Sequence, residues 1–141
     1  MLSYANLLDK IDLTLHDGTY AADKTKIGKI SIELCSLVQS ELDSTQAYAV
    51  EEANRYWHGA GSEKARLGYL NVISDRLDKS SKSVANSGRS AVLDRLVFCA
   101  LNTNSGLDVL AGEYIAELAE ALGMSADDVG QVFARHVANF I

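Results

Sequence analysis

The side chains in this sequence that could support catalysis or bind a metal are few and scattered. They include three histidines and two cysteines: His16, His58, His136, Cys35 and Cys99. These residues form neither an HExxH pattern nor the closely spaced Cys and His ligands of a zinc site, and no GxSxG motif is present. The adjacent carboxylates Glu51-Glu52 and Asp127-Asp128 would point about 100° apart on a helix, so neither pair can act on one substrate atom. The sequence predicts no catalytic residue, metal ligand or cofactor.

Asp94 and Arg95 are the ionisable residues with the most unusual surroundings, because they interrupt the apolar run over residues 90–101. A buried charge needs an opposite charge, hydrogen bonds or an opening to water. Two interpretations follow. Either the two residues are structural and bond across the fold, or Asp94, Arg95 and Trp57 border the pocket of an enzyme or a small-ligand-binding protein.

The distribution of charge along the chain is uneven. The formal net charge is −6, and residues 96–141 contribute −5 of it because Arg135 is their only strong base. Glu113, Glu117 and Glu120 recur at i, i+4 and i+7, so they form one acidic stripe on a helix, with Leu110 expected on the inward side. This stripe is either a solvated surface or a face that attracts a basic partner. Two further carboxylates, Asp127 and Asp128, are assigned to the same candidate face.

Tyr48, Glu52 and Tyr56 form a second candidate surface, since they share one side of a helix predicted over residues 45–58. Tyrosine offers a large contact area at a small entropic cost. These side chains are therefore either a protein-binding patch or rings that pack beneath neighbouring helices. The buried face of the same helix is predicted to contain Ala47, Val50, Ala53 and Trp57.

A segment near the C-terminus combines a turn glycine with a regular set of apolar positions. Gly123 follows the small residue Ala119 by four positions, and the surrounding apolar residues are Leu118, Leu122, Met124, Val129 and Val132. On these residues, segment 115–132 resembles the helix-turn-helix of bacterial DNA-binding regulators. The resemblance implies that the second helix presents its first turns to the major groove. The positions that would face DNA are Ser125, Ala126, Asp127, Asp128 and Gln131.

The charge of this segment argues against DNA binding. A DNA-binding surface gains much of its affinity by neutralising phosphates with lysine or arginine. Asp127 and Asp128 would repel phosphates, and no arginine is placed to bond a guanine edge. We therefore interpret the pattern as a way of packing two helices, and nucleic-acid binding is not expected.

The apolar run at about residues 90–102 is the element that must position these side chains. A helix that is apolar on nearly every side has no face for water, so it belongs at the centre of a bundle. The sequence therefore predicts an all-α, single-domain bundle over residues 1–141. Six or seven short helices surround the central one, and the chain ends in a helix-turn-helix-like pair. The predicted core of the central helix includes Leu93, Leu96, Val97 and Leu101.

Local signals indicate where the other helices begin and end. The predicted N-caps are Ser3, Asp23, Ser62 and Ser125. Gly123 has the position of a C′ glycine after a helix over residues 107–122, and the last helix is predicted to reach Phe140. Leu8 and Leu37 belong to apolar stripes expected to face the core. The Ser-rich segment 79–88 is predicted to be a mobile surface loop.

Lys24, Lys26 and Lys29 lie at the start of the second predicted helix. The positive end of the helix dipole repels lysines at this position, so they do not stabilise the helix. They are either a solvated face or a contact for an anion.

The composition favours a small binding protein. No apolar run approaches the roughly eighteen residues of a membrane span, and the N-terminus lacks the basic and apolar regions of a signal peptide. Cys35 and Cys99 are expected to be free, buried thiols, and the protein is predicted to be cytoplasmic. In being small, acidic, helical and free of catalytic motifs, the chain resembles immunity proteins of bacterial toxin systems. The expected function is neutralisation or modulation of a basic protein partner, such as a toxin. An enzyme or small-ligand-binding protein and a DNA-binding regulator are the alternatives.

Overall fold

The computed structural model describes residues 1–80 and 88–140, and every regular element in this part of the chain is helical. The α-helices are α1 (Tyr4–Leu15), α2 (Lys26–Leu37), α3 (Ser44–Trp57), α4 (Glu63–Ser80), α5 (Arg89–Leu101), α6 (Val109–Ala121) and α7 (Ala126–His136), with one 3₁₀ turn at Gln39–Glu41. The predicted all-α bundle is confirmed. No helix within the described residues is long and apolar enough to cross a lipid bilayer.

Helix α5 is the centre of the bundle, as its apolar sequence predicts. It packs against α2, α3, α4 and α6. The four predicted core residues Leu93, Leu96, Val97 and Leu101 are all buried. Because nearly every side of α5 is apolar, the stability of this helix depends on the helices that cover it.

Side chains from two other helices bond the C-terminal carbonyls of α5. The indole N–H of Trp57 in α3 donates to the Ala100 carbonyl at 2.9 Å, and Arg66 of α4 donates to the Leu101 carbonyl at 2.7 Å. The last carbonyls of a helix have no partner within the helix, and a positive charge there is favourable for the helix dipole. Arg66 is only 3% exposed, and it also pairs with Glu63. Trp57 and Arg66 therefore fix the end of the central helix.

Most of the predicted helix caps are confirmed. Ser3, Ser62 and Ser125 each accept a hydrogen bond from the backbone N–H three residues later. Asp23 is an exception, because α2 begins after Thr25 and Asp23 instead accepts hydrogen bonds from the Thr25 N–H and hydroxyl. This local turn satisfies the carboxylate before the helix starts.

The predicted glycine cap at the end of α6 is also confirmed. Gly123 has φ +78°, a conformation that glycine adopts without steric cost. The Gly123 N–H bonds to the Glu120 carbonyl and the Met124 N–H bonds to the Ala119 carbonyl, as in a Schellman motif. The reversal allows α7 to begin at once after Ser125.

The end of the last helix and the boundaries of the Ser-rich segment differ from the predictions. Helix α7 ends at His136, yet Val137 and Phe140 are buried because the chain turns back and the Phe140 ring stacks on Phe133. Residues 79–80 belong to α4, and Gly88 is the N-cap of α5. Residues 81–87 of the predicted loop lie outside the described residues.

Several residues predicted to face inward are exposed. Leu8, Leu37 and Leu110 all lie on the surface, and Leu110 is 78% exposed. In α3 the buried positions are Gln46, Ala49 and Ala53, whereas Ala47 is exposed. The helix is rotated relative to the prediction because the polar Gln46 finds hydrogen-bonding partners in the core, and exposing the small methyl group of Ala47 costs little.

Replacing Leu96 with Ala should lower the free energy of unfolding by roughly 2–5 kcal/mol, because it removes a fully buried side chain from the centre of the bundle. Urea unfolding followed by circular dichroism measures this change. The control is Leu13→Ala in α1, where the side chain is 72% exposed and the expected change is within about 0.5 kcal/mol. Equal effects of the two substitutions would show that α5 is not the central helix.

Candidate functional site

The acidic stripe of α6 lines a groove between α6 and α1. Glu113, Glu117 and Glu120 form one wall, and Tyr4 and Leu8 of α1 form the other. The volume of the groove is about 230 Å³. The helical spacing of the three glutamates is thus confirmed as a shared surface.

A glycine allows the two helices that form the groove to approach closely. Gly112 of α6 is buried, and a Cβ atom added to it would lie 2.8 Å from Cγ2 of Ile11 and 3.1 Å from Cδ1 of Leu15. Real Cβ atoms do not tolerate the first of these distances, so any larger residue would push α1 away from α6. Because Gly112 packs closely against α1, the next residue, Glu113, also lies beside α1.

The groove has a strongly negative character. Within residues 1–80 and 88–140, none of the three glutamates forms an ion pair. The Tyr4 hydroxyl donates to the Met124 carbonyl at 2.7 Å. Burial raises the pKa of Tyr4 to about 12, and the charges of Glu120 and Asp128 add to the rise. Burial is therefore the main cause of the raised pKa of Tyr4, and the nearby carboxylates increase it further.

Two exposed leucines lie close to the acidic residues. Leu110, predicted to face inward, is outside the lining of the groove but lies on the face of α6 that contains Glu113 and Glu117. It lies on this side because positions separated by three and seven residues share one face of a helix. Leu8 lies on the opposite wall and is 37% exposed. Carboxylates beside exposed apolar side chains are suited to a partner that is both basic and apolar.

The two aspartates assigned to the same face have different surroundings. Asp127 is half-buried, and its carboxylate accepts the Leu2 backbone N–H at 2.8 Å. Asp128 is exposed and close enough to Tyr4 to raise the pKa of its phenol. Asp128 thus contributes to the potential of the groove, while Asp127 mainly holds the N-terminal segment.

The N-terminal segment covers part of the surface that a helix-turn-helix would present to DNA. Leu2 bonds to Asp127 in the first turn of α7, and Tyr4 bonds to the carbonyl of Met124 in the turn before it. Ala126, one of the five positions that would face DNA, is buried. These contacts and the local negative charge both disfavour access of a phosphate backbone to this turn.

Tyr48, Glu52 and Tyr56 do not form one continuous surface. Tyr48 is 59% exposed, but Tyr56 is half-buried and its ring lies edge-on to Trp57, with the ring centroids 5.2 Å apart. The guanidinium of Arg66 lies 5.1 Å from the Tyr56 ring centroid. Tyr56 therefore packs partly against the side chains that fix the end of α5, and Tyr48 is the exposed tyrosine of the pair.

Asp94 belongs to a hydrogen-bonded ion-pair network that joins three helices. It is 5% exposed, accepts from Gln46 Nε2 at 2.8 Å and pairs with Arg76 Nε at 3.2 Å. Arg76 of α4 also pairs with Asp43, and Asp43 forms a capping box with Gln46 at the start of α3. The four side chains, Asp94, Gln46, Asp43 and Arg76, close a ring of contacts.

The two carboxylates of this network have opposite pKa shifts. Burial raises the pKa of Asp94, and the hydrogen bond from Gln46 and the charge of Arg76 only partly offset it. Burial also acts to raise the pKa of Asp43, but hydrogen bonds from Arg76 and the Gln46 N–H outweigh it and hold that pKa below its usual value. The arrangement satisfies a buried charge, as expected for a structural pair.

Asp94, Arg95 and Trp57 do not border a common pocket. Asp94 faces α3 and α4, whereas Arg95 interacts with Tyr114 of α6. Burial raises the pKa of Tyr114, and the hydrogen bond with Arg95 counteracts this rise. Trp57 bonds to Ala100, which is six residues further along α5. Six residues correspond to about 9 Å of helix, so the three side chains act at separate places.

Cys35 and Cys99 are both buried free thiols, as predicted. Burial raises the pKa of each thiol to about 12, and the two groups are close enough for Cys99 to contribute to the shift at Cys35. A thiol with such a high pKa is a poor nucleophile near neutral pH. These cysteines therefore act as small apolar residues of the core.

Comparison of the chain with protein-family models, curated proteins and solved structures found no match.

Ionisation of Tyr4 tests the potential of the groove without a partner. The folded-state pKa of about 12 exceeds the ordinary value of 10.0. The stabilisation from neutral Tyr4 is therefore fully present below pH 10 and is lost as the pH rises towards 12. Urea unfolding across this range should show a steeper loss of stability for the wild-type protein than for Tyr4→Phe.

A carboxylate substitution and a second tyrosine provide the comparison. Glu120→Gln should lower the pKa of Tyr4, because it removes one of the charges that raise it. Ultraviolet absorbance titration measures this directly. Tyr48→Phe, which changes an exposed tyrosine of α3, is the comparison variant. If Tyr4→Phe and Tyr48→Phe behave alike, Tyr4 does not sense the groove carboxylates.

Substitution of Asp94 tests the structural network. Asp94→Ala should destabilise the protein by about 1–3 kcal/mol, because it leaves the buried amide of Gln46 without its carboxylate acceptor. Asp94→Asn preserves the shape and an acceptor oxygen, so it should cost less. Glu51→Ala, which removes an exposed pair with Arg55, should change stability by no more than about 0.5 kcal/mol. Chemical denaturation of the four proteins gives the comparison, and a neutral Asp94→Ala would contradict the network.

Proposed function

We propose that this protein binds a basic protein partner through the groove between α1 and α6. The partner presents lysine or arginine side chains to Glu113, Glu117 and Glu120, and apolar side chains to Leu8 and Leu110. Neutralisation of a bacterial toxin, as immunity proteins perform it, is one role that this binding would serve. Modulation of another basic protein would depend on the same complementary charges.

The observation that supports the proposal best is the absence of compensation at the acidic stripe. In the described residues, five arginines form ion pairs with carboxylates elsewhere, namely Arg55, Arg66, Arg76, Arg89 and Arg135. Glu113, Glu117 and Glu120 have no such partner among these residues. Like charges at helical spacing cost a few tenths of a kcal/mol per pair, and a bound basic partner would reverse this cost.

The alternative of an enzyme or ligand site at Asp94, Arg95 and Trp57 has less support. The carboxylate of Asp94 is already bonded by Gln46 and Arg76, and Trp57 lies near the opposite end of α5. A substrate would have to displace contacts that stabilise the fold. The geometry therefore favours the groove as the site of function.

The acidic stripe should control the rate of association. Replacing Glu113, Glu117 and Glu120 with Gln should slow association with the partner by roughly tenfold at low ionic strength, because separated charges steer an approaching partner over long distances. Dissociation should change less. The difference should shrink at high salt, which screens these interactions. Stopped-flow measurements with the purified partner, identified by affinity capture and mass spectrometry, provide both rates.

A charge-matched pair of variants separates a local effect from a general one. Glu117→Gln/Glu120→Gln and Glu51→Gln/Asp75→Asn each remove two negative charges, but the second pair lies on α3 and α4. Only the first should slow association and reduce capture of the partner. A basic partner that associates equally fast with the triple variant at low ionic strength would move the interface elsewhere, and Tyr48 would be the next residue to test.

A further inference from the structure

A second cavity lies between α2, α3 and α7 and differs in character from the acidic groove. Its volume is about 340 Å³, which is within the usual size range of small-ligand pockets. The side chains that line it are Lys26, Lys29, Ile32, Glu33, Asn54, Trp57, His58 and His136. Two lysines and two histidines thus converge on one concave site in a protein whose net charge is −6.

The one carboxylate in the cavity wall is already compensated. Glu33 accepts a hydrogen bond from Arg135 Nε at 3.0 Å, and its other oxygen contacts Nε2 of His136. These contacts engage both carboxylate oxygens of Glu33 and the Nε2 atom of His136. They leave the two lysines and His58 as the groups that determine how the cavity interacts with a ligand.

Neither Lys26 nor Lys29 forms an ion pair within the described residues. Lys26 Nζ lies 5.7 Å from the centroid of the Tyr20 ring, a contact that leaves its positive charge without a counter-ion. Asp23 is a carboxylate that senses both lysines. Hydrogen bonds from Thr25 are the main cause of its lowered pKa, and the charges of both lysines contribute. Because these hydrogen bonds hold the Asp23 carboxylate in a local turn, it does not form an ion pair with either lysine.

The positions of the lysines are unfavourable for α2 itself. Lys26 is the first residue of the helix, and Lys29 follows within its first turn. The helix dipole is positive at this end, and Thr25 provides no side-chain cap. A bound anion would relieve this repulsion.

Trp57 forms an aromatic part of the wall because α2 has a glycine opposite it. A Cβ atom on Gly28 would overlap the indole ring, so only glycine permits this close approach. The indole N–H is bonded to Ala100, which fixes the orientation of the ring. The Nδ1 atom of His58 bonds to the Asn54 carbonyl at 2.7 Å, which leaves Nε2 as the free ring nitrogen. The cavity is therefore preorganised by contacts that do not involve a ligand.

From this arrangement we infer that the cavity binds a small phosphorylated molecule, with its phosphate group held by Lys26 and Lys29, and by Nε2 of His58 when the imidazole is protonated. Lysine acts as a point charge and binds a tetrahedral phosphate from several directions, whereas planar carboxylates are best matched by the fork of an arginine. No arginine lines the cavity. The cavity is larger than a phosphate group alone, and Trp57 offers an apolar surface to the organic part of the ligand. The inference does not depend on the acidic groove.

Trp57 allows a direct test, because it is the only tryptophan of the chain. Titration with inorganic phosphate and with phenyl phosphate at constant ionic strength should change tryptophan fluorescence saturably, with phenyl phosphate binding more tightly. Lys26→Gln/Lys29→Gln should weaken both interactions by at least about tenfold. The single variants Lys26→Gln and Lys29→Gln provide intermediate steps if the double variant folds poorly.

Matched controls decide the outcome. Lys24→Gln/Lys64→Gln removes the same charge outside the cavity and should alter affinity by less than about twofold. Two-dimensional NMR of the Trp57 indole and of the Lys29 amide provides a second readout. Absence of saturable changes in both readouts would overturn the inference, as would equal weakening by the two double variants. Binding of succinate as tightly as phosphate would overturn the assignment to the phosphate class.

Discussion

The buried carboxylate of Asp94 is the constraint on which much of the bundle depends. A charge in the middle of an apolar helix must be satisfied within the fold, and here Gln46 and Arg76 satisfy it from α3 and α4. The same Gln46 caps α3 through Asp43, so one network fixes both where that helix begins and which side faces α5. Hydrophobic burial draws the helices around α5, whereas the network determines their rotation.

The acidic groove and the cavity lined by Lys26 and Lys29 differ in charge because the ion pairs of the described residues lie mainly at other places. Ion pairs engage five arginines of the described residues: Arg55 and Arg66 pair within their own helices, and Arg76, Arg89 and Arg135 pair with carboxylates of other elements. The glutamates of α6 and the first lysines of α2 have no such partners within these residues. A protein can hold uncompensated charge on its surface at small cost, but a partner of opposite charge then gains the most by binding there. The acidic groove and the cationic cavity follow from this uneven pairing.

The proposed sites also differ in how they are built. The groove is open, has two exposed leucines close to its acidic residues, and is suited to the side chains of a macromolecule. The cavity between α2, α3 and α7 is larger, and its aromatic wall is fixed by Gly28 and the hydrogen bond of Trp57. The two proposed sites therefore lie on different helices and share no lining residue.

The sequence by itself determined the all-α class, the central helix, three of the N-caps, the Schellman ending of α6 and the acidic stripe, because each depends on spacing or on contacts within a few residues. Tertiary structure alone decided the burial of Gln46 and Arg66, since Gln46 bonds to Asp94, 48 residues away, and Arg66 bonds to Leu101, 35 residues away. It also decided which side chains satisfy the charge of Asp94. It also decided that Leu110 is exposed and that Lys26, Lys29 and His58 meet in one cavity. Helical periodicity defines the faces of a helix, but only packing against the other helices determines which face is covered.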